Sequence, residues 1–471
     1  MIDYDVIAIG SGSSMNILEP IIEQDQSIRV AVIDKDEPGG ICLTRGCIPS
    51  KIILYPAEMV RTIEKAHQFG IDATIKKISF QKVMQRMRTL IDNDIGMIRR
   101  GLSESKNIDY YPHIAEFVAP YTLEVDGSEI TAKLILLCLG SKIKIPPVKG
   151  LDKVPYHTSD TALRMTKLPR SLVIVGGGYI AAEFGHFFSS MGSKVTILGR
   201  NQQFLPDEEP EVSALMKDEL AKHMTIITNC AVTEVSGTAA GKKIVSEDRQ
   251  SGKKRVIIAD ELMIAVGRES TSDILHPEKA GIKTDKDGWI KVNRQLETSQ
   301  RNIWAFGDAT GTFLFKHVAN YESQIVYYNA VLGKKMEVDY NAIPHAVFCY
   351  PEIGSVGLRE KEAVKKYGED NIMIGFQKYE DTAKGEAMAS EGYFVKVILE
   401  RNTRKILGGH IAGPYASILI QEVINAMNTA SGDLTTITDS MHIHPALSEV
   451  VERAFFSLMS PHEYHQMNEA Y

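Results

Sequence analysis

Short apolar runs, broken by glycines and polar segments, alternate along the chain with stretches of helical apolar spacing. The run Val6–Ile9 enters a glycine loop at once and predicts a buried strand, followed by a helix over Asn16–Glu23 and a strand over Arg29–Ile33. Ile53, Ala57, Val60 and Ile63 recur at one face of a predicted helix in Ser50–Phe69. Leu134–Leu139 is a strong apolar strand, and Pro146 and Pro147 after it read as a linker. The pattern then restarts with a strand at Leu172–Val175, a helix at Tyr179–Ser190 and a strand at Lys194–Leu198, and continues with strands at Leu262–Val266 and Ile303–Phe306. Alternating strands and helices imply parallel sheets covered by helices. Beyond Pro344 the character changes to separate strands (Val347–Cys349, Phe394–Leu399, Leu407–Ala412) and a late helix, Ser417–Asn428, as in an α+β domain.

One unit occurs twice. Gly10-Ser11-Gly12 follows a strand and opens a helix, and Gly176-Gly177-Gly178-Tyr179-Ile180-Ala181 does the same. Such a loop turns backbone N–H groups and the positive end of a helix toward a pyrophosphate, and glycine is needed because a Cβ would block the approach. Two matches in the same strand–loop–helix context are far stronger than one. The first is imperfect: Met15 stands where a third Gly or Ala is usual. The residues that end the second strand of each unit differ. Asp34 ends the first and can accept hydrogen bonds from both hydroxyls of an adenosine ribose. The comparable position in the second unit is Leu198-Gly199-Arg200, where the acid is missing and an arginine can fork onto a 2′-phosphate. This favours NADPH over NADH at the second site, against the plainer reading of Arg200 as a solvated surface residue.

Composition narrows the class. The 471 residues suggest about three domains. With 53 basic and 60 acidic residues the net charge is −7, which leaves no basic footprint for nucleic acid. No apolar run reaches the roughly 18 residues of a membrane-spanning helix, and the polar segment Met459–Tyr471 offers no membrane anchor. The opening MIDYDVIAIGSG carries neither a basic segment nor a small-residue cleavage site, so a cytoplasmic protein is expected. Five cysteines are too few, and odd in number, for a secreted disulfide framework.

Two of those cysteines stand together in GGICLTRGCIPSK, Gly39 to Lys51. Metal binding would want further ligands at close spacing, and no second pair or nearby histidines supply them; no metal is expected. The spacing of Cys42 and Cys47, about one helical turn, allows a disulfide, and a helix N-terminus beside it would make a reactive thiolate. Cys138, Cys230 and Cys349 fit buried structural cysteines.

With these motifs the chain resembles the FAD-dependent pyridine nucleotide–disulfide oxidoreductases along essentially its whole length. GGICLTRGCIPSK looks like their redox-disulfide signature, TSQRNIWAFGD (Thr298–Asp308) like the second FAD motif, LMIAVGR (Leu262–Arg268, with Gly267) like the strand closing the nicotinamide domain, and HIHPALSE (His442–Glu449) like the C-terminal catalytic segment. The resemblance implies two Rossmann-like α/β domains, for FAD and NAD(P), and a C-terminal α+β dimerisation domain. The implied division is residues 1–149 (FAD, with the redox disulfide), 150–268 (NAD(P)), 269–341 (return to the FAD and central region) and 342–471 (dimerisation). It implies a Cys42–Cys47 disulfide, with Cys42 as the interchange thiol and Cys47 as the thiolate against the flavin. Lys51 and Glu183 would pair near the flavin's reactive edge. Gly10, Gly12, Asp34, Ala115, Gly140 and Asp308 would contact FAD, and Gly176, Gly178, Arg200 and Gly267 would belong to the nicotinamide site. His444, set by Glu449, would be the acid–base partner of Cys42, reaching it from the other subunit of a homodimer. His442 serves as the contrast, a neighbouring histidine with no assigned partner.

Within that family two readings of the substrate stand. YHTSDTALR, GGGYIAAEF, FKHVANYES and HIHPALSEVVERAF look like mycothione reductase and its relatives, and with Arg200 they favour NADPH-driven reduction of a low-molecular-weight thiol disulfide, as in glutathione reductase. The alternative is dihydrolipoyl dehydrogenase, which oxidises a dihydrolipoyl group and passes electrons to NAD. A catalytically silent flavin-binding subunit would be expected to lack a redox cysteine, the Lys51–Glu183 pair or the histidine base, and all are present.

Overall fold

A computed structural model describes residues 2–469 of the chain. Three sheets organise it. The first runs in the order Ile108–Tyr111, Val30–Ile33, Ile2–Ile9, Ser128–Leu137, Thr122–Val125, Ala115–Ala119, and Ile303–Ala305 returns from far along the chain to pair in parallel with Ser128–Leu137. The second is a four-stranded parallel sheet in the order Thr225–Ile227, Lys194–Leu198, Ser171–Val175, Glu261–Ile264. Their central strands are buried on both faces, so they read as continuous apolar runs. The third sheet is antiparallel and six-stranded, from Pro344–Val347 to Leu458–Met459, with the helix Ala416–Met427 packed on its apolar face. The protein is thus a mixed α/β fold with two doubly wound units and a separate C-terminal α+β body.

The predicted elements lie within a few residues of the observed ones. The helix expected at Asn16–Glu23 spans Met15–Gln24, and that expected at Tyr179–Ser190 spans Tyr179–Met191. The strand expected at Leu134–Leu139 is the end of a longer one, Ser128–Leu137, and that expected at Val347–Cys349 ends at Val347. Pro146 and Pro147 lie in a loop leaving the short strand Ser141–Ile143, which pairs with Arg268–Ser270 and so ties together the exits of the two units.

The two glycine loops are built alike. Gly10 has φ +98°, its N–H donates to Ile33, and an added Cβ would fall 2.1 Å from the Cys138 carbonyl oxygen. Gly176 has φ +143°, its N–H donates to Leu198, and an added Cβ would fall 2.0 Å from the Ala265 carbonyl oxygen. Each loop therefore crosses the end of a neighbouring strand at a distance that only glycine permits.

A buried ion cluster joins the second unit to the C-terminal body. The Lys396 ammonium, with a fully buried side chain, lies 3.0 Å from Glu209, 3.0 Å from Glu211 and 2.6 Å from Glu360. These carboxylates, and the Tyr464 ring beside the ammonium, hold the lysine protonated against the cost of burial. The three glutamates converge as metal ligands would, and the ammonium occupies their centre. Among the described residues no helix is long and apolar enough to cross a membrane.

Candidate active site

The redox segment packs directly on the first glycine loop. A Cβ on Gly40, whose φ is +72°, would lie 2.8 Å from the Cα of Gly12. The paired glycines of GGICLTRGC thus let Cys42 and Cys47 reach the loop that opens the helix Met15–Gln24. The two cysteines do not share one helical turn, as their spacing suggested. Cys42 belongs to the short helix Gly40–Thr44, the chain breaks at Arg45-Gly46, and Cys47 begins the helix Cys47–Lys65. Both thiols are free, the dithiol partner of the expected disulfide.

Their environments push the two thiols apart. Cys47 is lowered to about 7, first by the hydrogen bond from Cys42 and then by the Lys51 ammonium and its own helix-terminal N–H, against the cost of burial. Cys42 is raised by that same hydrogen bond and by burial. The pair therefore holds one proton, on Cys42, and presents Cys47 as the thiolate.

Lys51 lies one helical turn after Cys47 and donates to both oxygens of Glu183 at 2.9 Å. Glu183 is buried on the helix that follows the second glycine loop, and it also accepts the Phe348 N–H at 3.1 Å. One ion pair thus brings the redox helix and the nicotinamide-side helix to the same point.

A cleft runs from Asp34 past Gly12 to Cys47, Lys51 and Glu183, and Gly140 and Asp308 line it too. At one end Asp34 accepts the Ser11 N–H at 2.9 Å, the Ser11 hydroxyl at 2.5 Å and the Asp36 N–H at 3.1 Å. Three of its roughly four acceptor positions are so filled, leaving one toward the cleft. Farther along, Asp308 accepts the Ser141 hydroxyl at 2.5 Å, and burial raises its carboxyl despite Ser141 and Arg268. A long groove with glycine backbone at its centre, a carboxylate at one end and a thiol pair at the other suits FAD, whose adenosine, pyrophosphate and isoalloxazine follow in that order.

Other expected residues lie elsewhere. Ala115 is buried in its strand and does not line the cleft. Gly178 faces open space at the start of the second loop's helix, and Gly267 (φ +112°) has open space where a Cβ would stand. Arg200 is exposed just beyond the strand Lys194–Leu198, and its carbonyl accepts a hydrogen bond from the Arg249 guanidinium at 3.1 Å. His444 bonds Glu449 at 2.9 Å through Nδ1, and the Ala446 N–H fixes the other carboxylate oxygen at 3.1 Å. This pair does not line the cleft of its own chain. His442, to which the sequence assigned no partner, lies with Nε2 2.5 Å from Glu422 and Nδ1 3.3 Å from Glu452 and 3.2 Å from the Ser440 carbonyl, and these groups raise its pKa against burial. Cys138 lines the cleft, but burial pushes its thiol up to about 11 and keeps it inert.

Tyr179, Ser141 and Lys316 are among the cleft residues to which the sequence assigned no role. Tyr179 follows Gly178 directly and lines the cleft beside Glu183. Ser141, next to Gly140, accepts from Arg268 Nε at 2.6 Å while donating to Asp308. Lys316 lies within FKHVANYES, a motif informative only by likeness until its position was known. For Tyr179 and Ser141 the available signal was adjacency to the glycines.

The thiol environments set a pH dependence. In the reduced enzyme the Cys47 thiolate should form as pH rises through about 7, read from the rate of alkylation. Lys51→Met removes the cation that lowers this thiol, so the midpoint should move up by about one unit or more. An unmoved midpoint would show that Lys51 does not act on the thiol.

Comparison with known proteins agrees with this geometry. Residues 4–331 match the model of the pyridine nucleotide-disulphide oxidoreductase family, and residues 343–455 match that family's dimerisation domain. The chain is 36% identical over 467 residues to mycothione reductase of Mycobacterium tuberculosis, covering 97% of this chain and 99% of that protein. It is 31% identical over 469 residues to dihydrolipoyl dehydrogenase of Bacillus subtilis, covering 96% and 97%. Among solved structures, the HOCl-induced flavoprotein disulfide reductase RclA of Escherichia coli superposes with a TM-score of 0.85 at 28% identity, covering 96% of this chain and 99% of that one. The chain belongs to the FAD-dependent pyridine nucleotide-disulphide oxidoreductases and is a flavoprotein enzyme that acts on sulfur groups.

Proposed function

We propose that this protein is an NADPH-dependent reductase of a low-molecular-weight thiol disulfide, working as a homodimer. The observation that carries the choice of nucleotide is the end of the strand Lys194–Leu198. Gly199 replaces a ribose-binding acid there, a Cβ on it would stand only 3.4 Å from Gly177, and Arg200 follows with Arg249 bonded to its carbonyl. Arg200, with the Arg249 guanidinium on its carbonyl, suits a 2′-phosphate, and the ribose-binding acid that would repel it is missing. Similarity to mycothione reductase supports a small-thiol substrate.

The first glycine loop, Asp34 and Asp308 would hold FAD, which would supply two-electron transfer between the nicotinamide and the Cys42–Cys47 disulfide. The remaining chemistry belongs to this chain's own residues. Cys42 gives up its proton to His444 of the second copy in the dimer, which Glu449 of that copy orients through Nδ1 so that Nε2 is free. The Cys42 thiolate attacks one sulfur of the substrate disulfide; a mixed disulfide forms, the substrate S–S bond breaks, and His444 returns the proton to the leaving thiol. Cys47, already a thiolate near neutral pH, then attacks the Cys42 sulfur. This reforms the intramolecular disulfide and releases the second thiol.

The surface supports the homodimer. The His444 side chain is 69% exposed, and Met441 and Ile443 beside it are also exposed. Tyr55, Met59 and Ile63 form a second exposed apolar stripe on the outer side of the redox helix. Two copies that bury these surfaces would bring His444 of one to Cys42 of the other.

Arg200→Glu should lower the ratio of kcat/KM for NADPH to that for NADH by about 100-fold or more, since a phosphate fork becomes a repulsion. An unchanged ratio would remove Arg200 from the phosphate site, and with fast NADH turnover would favour the dihydrolipoyl dehydrogenase reading. Mixed dimers test the shared site. Chains carrying Cys42→Ser and His444→Gln, each inactive alone, should regain about a quarter of wild-type activity after statistical mixing. No recovery would place both residues in one chain's site.

A further inference from the structure

Around the redox end of the cleft stand four cations, and three have carboxylate partners. Arg45 lies 2.5 Å from Asp36 and 3.2 Å from Asp160, Lys51 lies 2.9 Å from Glu183, and Arg268 lies 3.9 Å from Asp308. Lys316 has no carboxylate within ion-pair distance among the described residues; its one hydrogen bond goes to the Ser13 hydroxyl at 2.8 Å. An ammonium held in a cleft with no carboxylate in direct contact is poised for an anion that the cleft receives.

The bond to Ser13 is fixed by its surroundings. Ser13 is buried, and its hydroxyl spends its only hydrogen on Asn320 Oδ1 at 3.0 Å, so it can only accept from Lys316. Asn16 donates to the same Asn320 oxygen at 3.2 Å and to the Ser323 hydroxyl at 3.1 Å. Lys316, Asn320 and Ser323 fall on one face of the helix Lys316–Val326, and Ser13 and Asn16 lie at the start of the phosphate-loop helix. A polar seam between segments some 300 positions apart thus places the ammonium against the first glycine loop. The distinctive spacing in FKHVANYES is that seam.

We propose that Lys316 is an anion-binding residue of the FAD site, its ammonium taking a pyrophosphate oxygen at the first glycine loop, beside Gly12. The pyrophosphate is favoured over the ring because Ser13 belongs to the phosphate loop, and because a permanent cation is matched by a permanent anion. Ring charge, by contrast, changes with redox state. Gly12 leaves the approach open: a Cβ built there would meet nothing nearer than the Gly40 Cα at 3.8 Å. The inference rests on the family's use of FAD and is independent of the choice between NADPH and NADH or of the substrate.

The test follows FAD release from the holoenzyme as the gain in flavin fluorescence on dilution, at low and high salt. Lys316→Gln keeps a donor for Ser13 and removes only the charge. It should release FAD roughly 10- to 100-fold faster, the worth of one charge-assisted hydrogen bond. It should also flatten the salt dependence and leave the flavin midpoint potential unchanged. Lys316→Arg should stay close to wild type, and Ser13→Ala, which keeps the ammonium, should cost less than Lys316→Gln. Unchanged release in Lys316→Gln would overturn the proposal and leave the seam purely structural, as would an equal loss in Ser13→Ala. Unchanged release with a lowered midpoint potential would overturn it in favour of a cation that serves the reduced ring.

Discussion

The ion pair between Lys51 and Glu183 is the contact on which the arrangement of the site depends. Its lysine comes from the redox helix and its glutamate from the helix that opens at the second glycine loop, so it fixes the two dinucleotide units at one point. Glu183 is buried, with Lys51 and the Phe348 N–H as its partners, so loss of the lysine would strand a carboxylate, at a cost on the order of 3–5 kcal/mol. An exposed pair would be worth about 1 kcal/mol at most. The same ammonium lowers the Cys47 thiol one turn away. Structural locking and thiolate formation therefore fall on one residue.

Charge is distributed along the cleft with the same economy. The chain as a whole is acidic, yet its cleft must accept a dianionic pyrophosphate and stabilise a thiolate. Backbone N–H groups at two helix starts supply part of the positive field without bulky side chains. At the redox end Arg45 and Arg268 are balanced by neighbouring carboxylates, while Lys316 has no carboxylate within ion-pair distance among the described residues. The proton of the thiol pair rests on Cys42, and in the proposed mechanism the exposed His444–Glu449 pair removes it.

What the sequence revealed was mostly local. Gly10, Gly12, Gly176 and Gly178 were legible because a loop between strand and helix announces itself in consecutive residues, and the cysteine segment followed for the same reason. The buried parallel strands were legible as apolar runs. The helix Phe80–Glu104 was overlooked, although Phe80, Met84, Met87, Ile91 and Ile95 carry the spacing that buries it. Lys396 sits in a strand that reads as apolar, and its three glutamates come from two distant helix starts, so no local pattern could expose that cluster. The partners of His442 and the seam from Lys316 to Asn16 likewise join remote segments. The break at Arg45-Gly46 was hidden because spacing alone cannot distinguish one helical turn from two short helices.

The central claim is that electrons enter from NADPH and leave through the Cys42–Cys47 pair. Its most direct test is anaerobic rapid mixing of the oxidised holoenzyme with NADPH and NADH in parallel, following flavin absorbance and counting free thiols after the reaction. The account predicts fast reduction by NADPH, slow reduction by NADH, and two new thiols that map to Cys42 and Cys47. Fast reduction by NADH alone, or full reduction without new thiols at these positions, would contradict it.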